Sequence, residues 1–197
     1  MEMNDLIEIK IENIFYYKPL QGYALLIKSK TPDPRQMTLV IGHQEAQSIA
    51  LSMEGLQLPR PNTHDLVNTV IRDLSPGLKS VVIYNLRNNT FYAKLQIERS
   101  QGLHEIDCRP SDAIAVALRS STPLFIKRWI FDKKAAFVSL EESTVEEDTS
   151  IDDMKRFAME AEKKIELEKE LEEAVKNENY EKAAEIRDIL EAFDLSN

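Results

Sequence analysis

The feature that most constrains the fold is a strand-to-helix junction centred on Arg109. Residues 104–108 have the composition of a short strand, and the run that follows places an arginine and an aspartate, Asp112, three residues apart. Pro110 suits the first position of a helix, because its missing N–H would have no partner there. The helix dipole favours a carboxylate in the first turn. The sequence therefore predicts a helix that begins at Pro110 and ends before Pro123.

The other segments of the first 138 residues alternate between strand and helix patterns. Apolar alternation predicts strands, and apolar residues at helical spacing predict the helices between them. The run Arg87-Asn88-Asn89 is a favourable turn for a hairpin. This mixture predicts an α+β fold, with a mixed, largely antiparallel sheet and packed helices. The predicted strands cover 6–15, 23–28, 37–41, 78–86, 90–98, 104–108 and 124–126, and the predicted helices cover 44–53, 64–74, 110–121 and, as helix or turn, 129–135.

Charge and composition change at residue 139. Residues 1–138 hold 17 Lys and Arg against 14 Asp and Glu, whereas residues 139–197 hold 8 against 20, so the tail carries the net charge of −9. Residues 139–153 are acidic with little to bury, which predicts an exposed linker. Residues 154–197 are rich in Glu, Lys and Ala and predict a helical tail with an αα-hairpin at about 163–193.

Composition also excludes several classes of protein. The single cysteine, Cys108, excludes an internal disulfide framework and fits a reducing compartment. We expect it to be a buried small hydrophobe. The N-terminus lacks the features of a signal peptide, and no apolar run has the length of a membrane span, so we expect a soluble, cytoplasmic protein with no membrane contact. The absence of P-loop, HExxH, CxxC and GxSxG motifs argues against nucleotide-phosphate, zinc and serine-hydrolase chemistry.

Three segments carry a family resemblance in the same order along the chain. They are GHQEAQSIA at residues 42–50, RPNTHD at 60–65 and RPSDAIAVALR at 109–119. Together they resemble the bifunctional nuclease family, a bacterial and plant domain described as acting on both DNA and RNA. The resemblance spans about residues 6–136 and implies a nuclease that hydrolyses phosphodiester bonds.

The matched motifs supply the candidate catalytic residues. Phosphodiester hydrolysis needs an activated water, relief of phosphate charge and help for the leaving oxygen. Carboxylate-bound Mg²⁺ or Mn²⁺ commonly supplies the first two and Arg, Lys or His the rest. This chemistry predicts a divalent cation, Mg²⁺ or Mn²⁺, with Asp112 and Asp65 as its candidate ligands. The candidate catalytic residues are Asp112, Arg109, His64, Asp65, Arg60 and Glu45.

Each candidate also has a structural interpretation that the sequence leaves open. Asp112 could cap its helix while paired with Arg109, and the helix dipole alone would favour Glu45 near a helix start. Arg60, Asp65, Arg109 and Asp112 could form one buried ion-pair network with no catalysis. The chain would then be a non-catalytic oligomeric scaffold or an adaptor.

The C-terminal hairpin carries a second resemblance. The string YEKAAEIRD at residues 180–188 resembles the UVR motif of the excision-repair proteins UvrB and UvrC and of some protease adaptors. That family uses the hairpin to contact proteins, which implies a protein partner here through Tyr180, Ala183, Ala184 and Arg187. We also expect a homo-oligomer, because several apolar strands lack charged residues that would protect a sheet edge.

Overall fold

Among the described residues up to 135, seven strands and four helices follow one another along the chain. The strands are β1 (Leu6–Tyr17), β2 (Gly22–Ser29), β3 (Gln36–Ile41), β4 (Gly77–Arg87), β5 (Thr90–Arg99), β6 (Gly102–Cys108) and β7 (Leu124–Lys127). The helices are α1 (His43–Met53), α2 (Thr63–Leu74), α3 (Pro110–Arg119) and α4 (Arg128–Ala135). The structure is a computed structural model that describes residues 5–17, 22–31, 35–56, 58, 60–100, 102–135, 145–146, 163, 166–177 and 179–195.

The strands form one sheet in the order β3-β2-β1-β7-β4-β5-β6. Two antiparallel meanders, β1 to β3 and β4 to β6, are joined by β7, which lies between β1 and β4. The β7 strand pairs antiparallel with β1 and parallel with β4, where Val82 lies opposite Phe125. The predicted α+β class and the mixed, largely antiparallel sheet are therefore confirmed.

Helix α3 is buried against the sheet and contacts both α1 and α2. Its residues Ala113 to Ala117 are all buried, and three of these five are alanines whose small side chains let the helix approach closely. The strands face it with alternating aliphatic side chains such as Ile27 and Ile83. Because α3 is fixed in this core, the position of its first turn is fixed as well.

The two ends of the strand order differ in exposure. In the described part of the chain, β6 has a single neighbour, β5, and every β6 residue before Cys108 is exposed. Two residues of the predicted linker, Val145 and Glu146, form a short strand β8 that pairs with Tyr17 and Tyr16 of β1. The remainder of the predicted linker, 139–153, lies outside the described residues.

The C-terminal segment forms the predicted αα-hairpin from α5 (166–176) and α6 (Tyr180–Leu195). Lys182 Nζ of α6 lies 3.4 Å from Glu170 Oε2 of α5. Ala174 of α5 is buried, as are three residues on one face of α6, namely Ala183, Ile186 and Leu190. No helix among the described residues is both long and apolar enough to cross a membrane.

Candidate functional site

A continuous chain of hydrogen bonds and ion pairs links α1, α2 and the two ends of α3. We call it the polar network. Its side chains come from three elements that are separate in sequence and packed together in the fold. Its members, in bonded order, are Glu45, Arg109, Asp112, His64, Ser48, Arg119 and Asp65.

Arg109 begins the network at the N-terminus of α3. As a residue before proline it has the expected extended backbone, with φ −69° and ψ 146°. Its Nε and Nη2 each donate over 2.8 Å to the two oxygens of Asp112, and Nη1 lies 2.8 Å from Glu45 Oε1. The paired Asp112 carboxylate, followed by Glu45, raises the pKa of Arg109. The guanidinium is therefore a permanent, firmly oriented cation.

Asp112 is held in its ionised form by two donors. Burial alone would raise the pKa of its carboxyl, but the hydrogen bonds from Arg109 and His64 outweigh it and leave the pKa below its usual value. His64 Nε2 lies 3.3 Å from Asp112 Oδ1, and its Nδ1 lies 2.7 Å from Ser48 Oγ. Both ring nitrogens of His64 are thus engaged inside the protein.

Arg119 and Asp65 close the other end of the network. Arg119 Nη2 donates to Ser48 Oγ over 3.0 Å, its Nη1 donates to the Ala115 carbonyl, and its Nε pairs with Asp65 Oδ1. Asp65 Oδ2 accepts from the backbone N–H of Asn62, whose side chain accepts from the first turn of α2. This capping box explains why α2 begins where it does.

A cleft of about 320 Å³ opens beside Arg109, and we call it the Arg109 cleft. The starts of α1 and α3 both line this cleft. Their lining residues are Gly42 and Glu45 at the start of α1, and Arg109 and Ser111 at the start of α3. A Cβ at residue 42 would collide with Glu45 Oε2, so glycine leaves room for the carboxylate to fold over the helix start. The lining also includes Asn89 of the β4–β5 turn.

A larger cleft of about 590 Å³ lies at the other end of the network. Asp65 and Arg119 form part of its wall, together with polar residues of α2 such as Asn68 and Arg72. The polar network therefore runs between two clefts, with Arg109 in one and Arg119 in the other.

Five of the six predicted catalytic residues belong to the polar network: Glu45, His64, Asp65, Arg109 and Asp112. Arg60 does not, since it is exposed and has no hydrogen bond or ion pair with another described residue. Sequence analysis did not select Ser48 and Arg119. Arg119 closes the RPSDAIAVALR string and could have been found there, whereas Ser48 had no signal beyond a small residue on the buried side of α1.

The two predicted metal ligands lie at different points of the network. Asp112 and Asp65 each direct oxygens at an arginine, Arg109 and Arg119 respectively. Among the described residues, no three His, Cys, Asp or Glu side chains are grouped so that they could hold a metal ion. These donors do not fit a resident divalent cation.

The predicted contact residues of the hairpin divide into two sets. Tyr180, Ala184 and Arg187 are exposed, at the i, i+4 and i+7 positions that share one face of α6. Ala183 is buried on the other side, with Ile186. The exposed face therefore carries an aromatic ring, a small residue and a cation.

Comparisons with known proteins agree with both resemblances. The bifunctional nuclease domain family matches residues 25–139, and the UvrB/UvrC motif matches residues 161–194. An uncharacterized protein of Mycobacterium tuberculosis is 34% identical over 152 residues, which cover 76% of this chain and 90% of that protein.

Two plant relatives are more distant. Bifunctional nuclease 2 of Arabidopsis thaliana is 22% identical over 181 residues, which cover 86% of this chain and 55% of the plant protein. Bifunctional nuclease 1 of Oryza sativa subsp. indica is 22% identical over 111 residues, which cover 55% of this chain and 34% of the plant protein.

Proposed function

Because the chain belongs to the bifunctional nuclease family, we propose that it hydrolyses phosphodiester bonds of DNA and RNA in the Arg109 cleft. The observation that carries this proposal is the state of the Arg109 side chain, which is 67% exposed although Asp112 and Glu45 hold it. Three of the five N–H donors of a guanidinium are used, and two are left for a phosphate. Arginine is well suited to bind phosphate in this way.

The two helix starts add to the attraction for a phosphate. The N-terminus of a helix has a partial positive charge and unpaired backbone N–H groups, and both favour an anion. The first turns of α1 and α3 border the same cleft as Arg109. A phosphate bound there would be contacted through the group that DNA and RNA share, so we expect one site to act on both polymers.

Glu45 is the group best placed to accept a proton from an attacking water. Its Oε1 accepts from Arg109, while its Oε2 has no hydrogen-bond partner among the described residues. Water attack forms a new P–O bond and gives its proton to Glu45, the ester P–O bond breaks, and the leaving oxygen takes a proton from a solvent water. Glu45 then returns its proton to the solvent, which restores the starting state. Arg109 stabilises the added charge on the phosphoryl oxygens in the transition state. Asp112 and His64 act indirectly, because they orient Arg109.

The requirement for Mg²⁺ or Mn²⁺ is a separate question. Asp112 and Asp65 do not fit as its ligands, so the proposed steps use none. Cleavage in EDTA compared with cleavage in added Mg²⁺ or Mn²⁺ measures the requirement directly. Activity that depends wholly on the ion would contradict the ion-free chemistry and leave the substrate class unchanged.

The test of the activity uses the purified full chain and end-labelled single-stranded DNA and RNA. We expect cleavage of both, and a fall in kcat/KM of about a hundredfold to a thousandfold for Arg109→Ala. Arg99→Ala, at the exposed end of β5, is the matched control and should cleave normally. Equal rates for the Arg109 and Arg99 variants would exclude the Arg109 cleft.

A second candidate function is that of a protein-contact adaptor, with the chain as scaffold. The exposed face of α6 favours it, since Tyr180, Ala184 and Arg187 would meet a partner there. We propose that this hairpin binds a protein helix and acts beside the nuclease domain. We further propose a cytoplasmic location, for which the single cysteine is the support. A folded wild-type chain that cleaves neither polymer would favour the scaffold alone.

A further inference from the structure

We infer that Ser48 is a positioning residue, which fixes the tautomer of His64 and thereby the orientation of Asp112 and Arg109. The inference rests on the proposed function only in taking Arg109 as the phosphate-binding group. The contact that carries it is the hydroxyl of Ser48, which lies between two side chains from different helices. Its Oγ is 2.7 Å from His64 Nδ1 and 3.0 Å from Arg119 Nη2.

For a neutral His64, the chemistry of these groups fixes the direction of each hydrogen bond. A guanidinium can only donate, so Ser48 Oγ accepts from Arg119 and its own proton is available for His64 Nδ1. At the other side of the ring, the ionised Asp112 carboxylate can only accept. A neutral His64 therefore carries its proton on Nε2 and donates it to Asp112 Oδ1, 3.3 Å away.

Arg119 is itself held too firmly to follow a moving partner. Its side chain is 9% exposed, and it is bound to the Asp65 carboxylate and to the Ala115 carbonyl. Asp65 is fixed in turn by the capping box of α2. Ser48 thus connects two arginine–carboxylate pairs. One is the rigid pair of Arg119 with Asp65. The other is the pair of Arg109 with Asp112, whose arginine faces the cleft.

Ser48 has the bonding pattern of a serine–histidine–aspartate chain without the access that a nucleophile needs. It is 6% exposed and lies in the middle of α1, outside the lining of both clefts. The hydroxyl is occupied on its donor side by His64 and on its acceptor side by Arg119. Its contribution is therefore to hold His64 in place.

The test compares two serines on the same helix face, one turn apart. Ser48→Ala removes the donor to His64 Nδ1, whereas Ser52→Ala removes a hydroxyl whose hydrogen bond goes to the Ser48 carbonyl. Ser48→Thr keeps the hydroxyl. ¹⁵N shifts of the His64 ring at pH 8.5 report the tautomer, with His64→Gln for assignment. The Arg109 Nε–H resonance reports the orientation of the guanidinium.

We expect the wild type, Ser52→Ala and Ser48→Thr to show the Nε2–H tautomer and a sharp Arg109 Nε–H signal. Ser48→Ala should show mixed tautomers, a broadened signal and a kcat about tenfold to a hundredfold lower, with KM changed less. Circular dichroism verifies that each variant is folded.

Two outcomes would overturn the inference. One is a Ser48→Ala variant that keeps the Nε2–H tautomer, and the other is a lost tautomer with an unchanged Arg109 signal. Failure of the wild type to cleave nucleic acid would count against the proposed nuclease instead, because both resonances are measured without turnover.

Discussion

Asp112 occupies the position of a helix-capping carboxylate, yet the first turn of α3 has no side-chain cap. The carboxylate turns away from the backbone N–H groups to Arg109 and His64. The pairing with Arg109 was predictable from the sequence, since the two residues are three apart at a helix start. The contact with His64 was not, because 48 residues separate the partners and only the packing of α2 on α3 brings them together.

Substitution Asp112→Asn tests this double pairing. It keeps the shape and removes the charge, so we expect kcat/KM to fall about a hundredfold, because Arg109 loses its orientation. The control is Asp73→Asn, which removes an exposed carboxylate that pairs with its neighbour Arg72. Normal cleavage by Asp112→Asn would assign Asp112 a purely structural role.

The lowered pKa of Asp112 also gives a pH dependence of stability. Stability from a carboxyl with a depressed folded-state pKa is complete above its unfolded value of about 3.9 and is lost as the pH falls through the folded value. The wild-type Tm should therefore fall more steeply below about pH 4 than that of Asp112→Asn. Parallel Tm curves for the two proteins would show that the ion pair contributes nothing in acid.

For Cys108 the predicted pH dependence of stability runs in the opposite direction. Burial, with the nearby charges of Asp112 and Asp107, raises the pKa of its thiol to about 12. The native protein should therefore react slowly with iodoacetamide at pH 8, and rapidly once unfolded by urea, since the thiolate is the reactive form. Because the unfolded thiol ionises first, stability from this group is lost as the pH rises above about 8.5. Equal alkylation rates in the folded and unfolded states would contradict this.

At the scale of elements, helix and strand limits followed from local signals. The β4–β5 hairpin turns at Asn88 and Asn89 as predicted, and α3 begins at Pro110. These local sequence signals did not predict contacts between residues that are far apart in the sequence. Apolar spacing in α1 marks Ser48 as buried but says nothing of its partners, and the acidic composition around Val145 gives no sign of pairing with β1.

The two adjacent alanines of α6 provide an element-scale test. Ala183→Glu places a carboxylate on the buried side of the hairpin and should unfold it, whereas Ala184→Glu changes only the exposed face. Amide hydrogen exchange over Tyr180–Leu195 should rise strongly in the first variant and stay unchanged in the second. Fast exchange in both variants would mean that Ala184 is also needed inside the hairpin.

The same Ala184→Glu variant tests the proposed partner surface. Association with a UVR-type helix, or of two hairpins with each other, should weaken about tenfold, which corresponds to about 1.4 kcal/mol. Cleavage of short oligonucleotides should not change, because the hairpin is proposed only as a contact element. A parallel loss of cleavage and binding would place the hairpin in the catalytic unit.

For the whole molecule, the exposed edge of β6 is the surface through which we expect two copies of the chain to associate. An unpaired strand edge is a template for another strand. We expect light scattering at micromolar concentration to give a multiple of 22.6 kDa. Ile106→Lys puts a charge on β6 at a residue that is 40% exposed, and it should lower that mass. The control is Val40→Lys on β3, at a residue that is 49% exposed, and it should leave the mass unchanged. A wild-type monomer would refute the expectation.

The β4–β5 turn contributes Asn89 to the lining of the Arg109 cleft. Asn88 and Asn89 both have positive φ, 46° and 61°, in a two-residue turn that fits the twist of the paired strands. Lys134 Nζ donates to Asn89 Oδ1 over 2.6 Å and ties the turn to α4. Because the turn has only two residues and is bonded to α4, we expect this part of the cleft lining to keep its shape when a ligand binds.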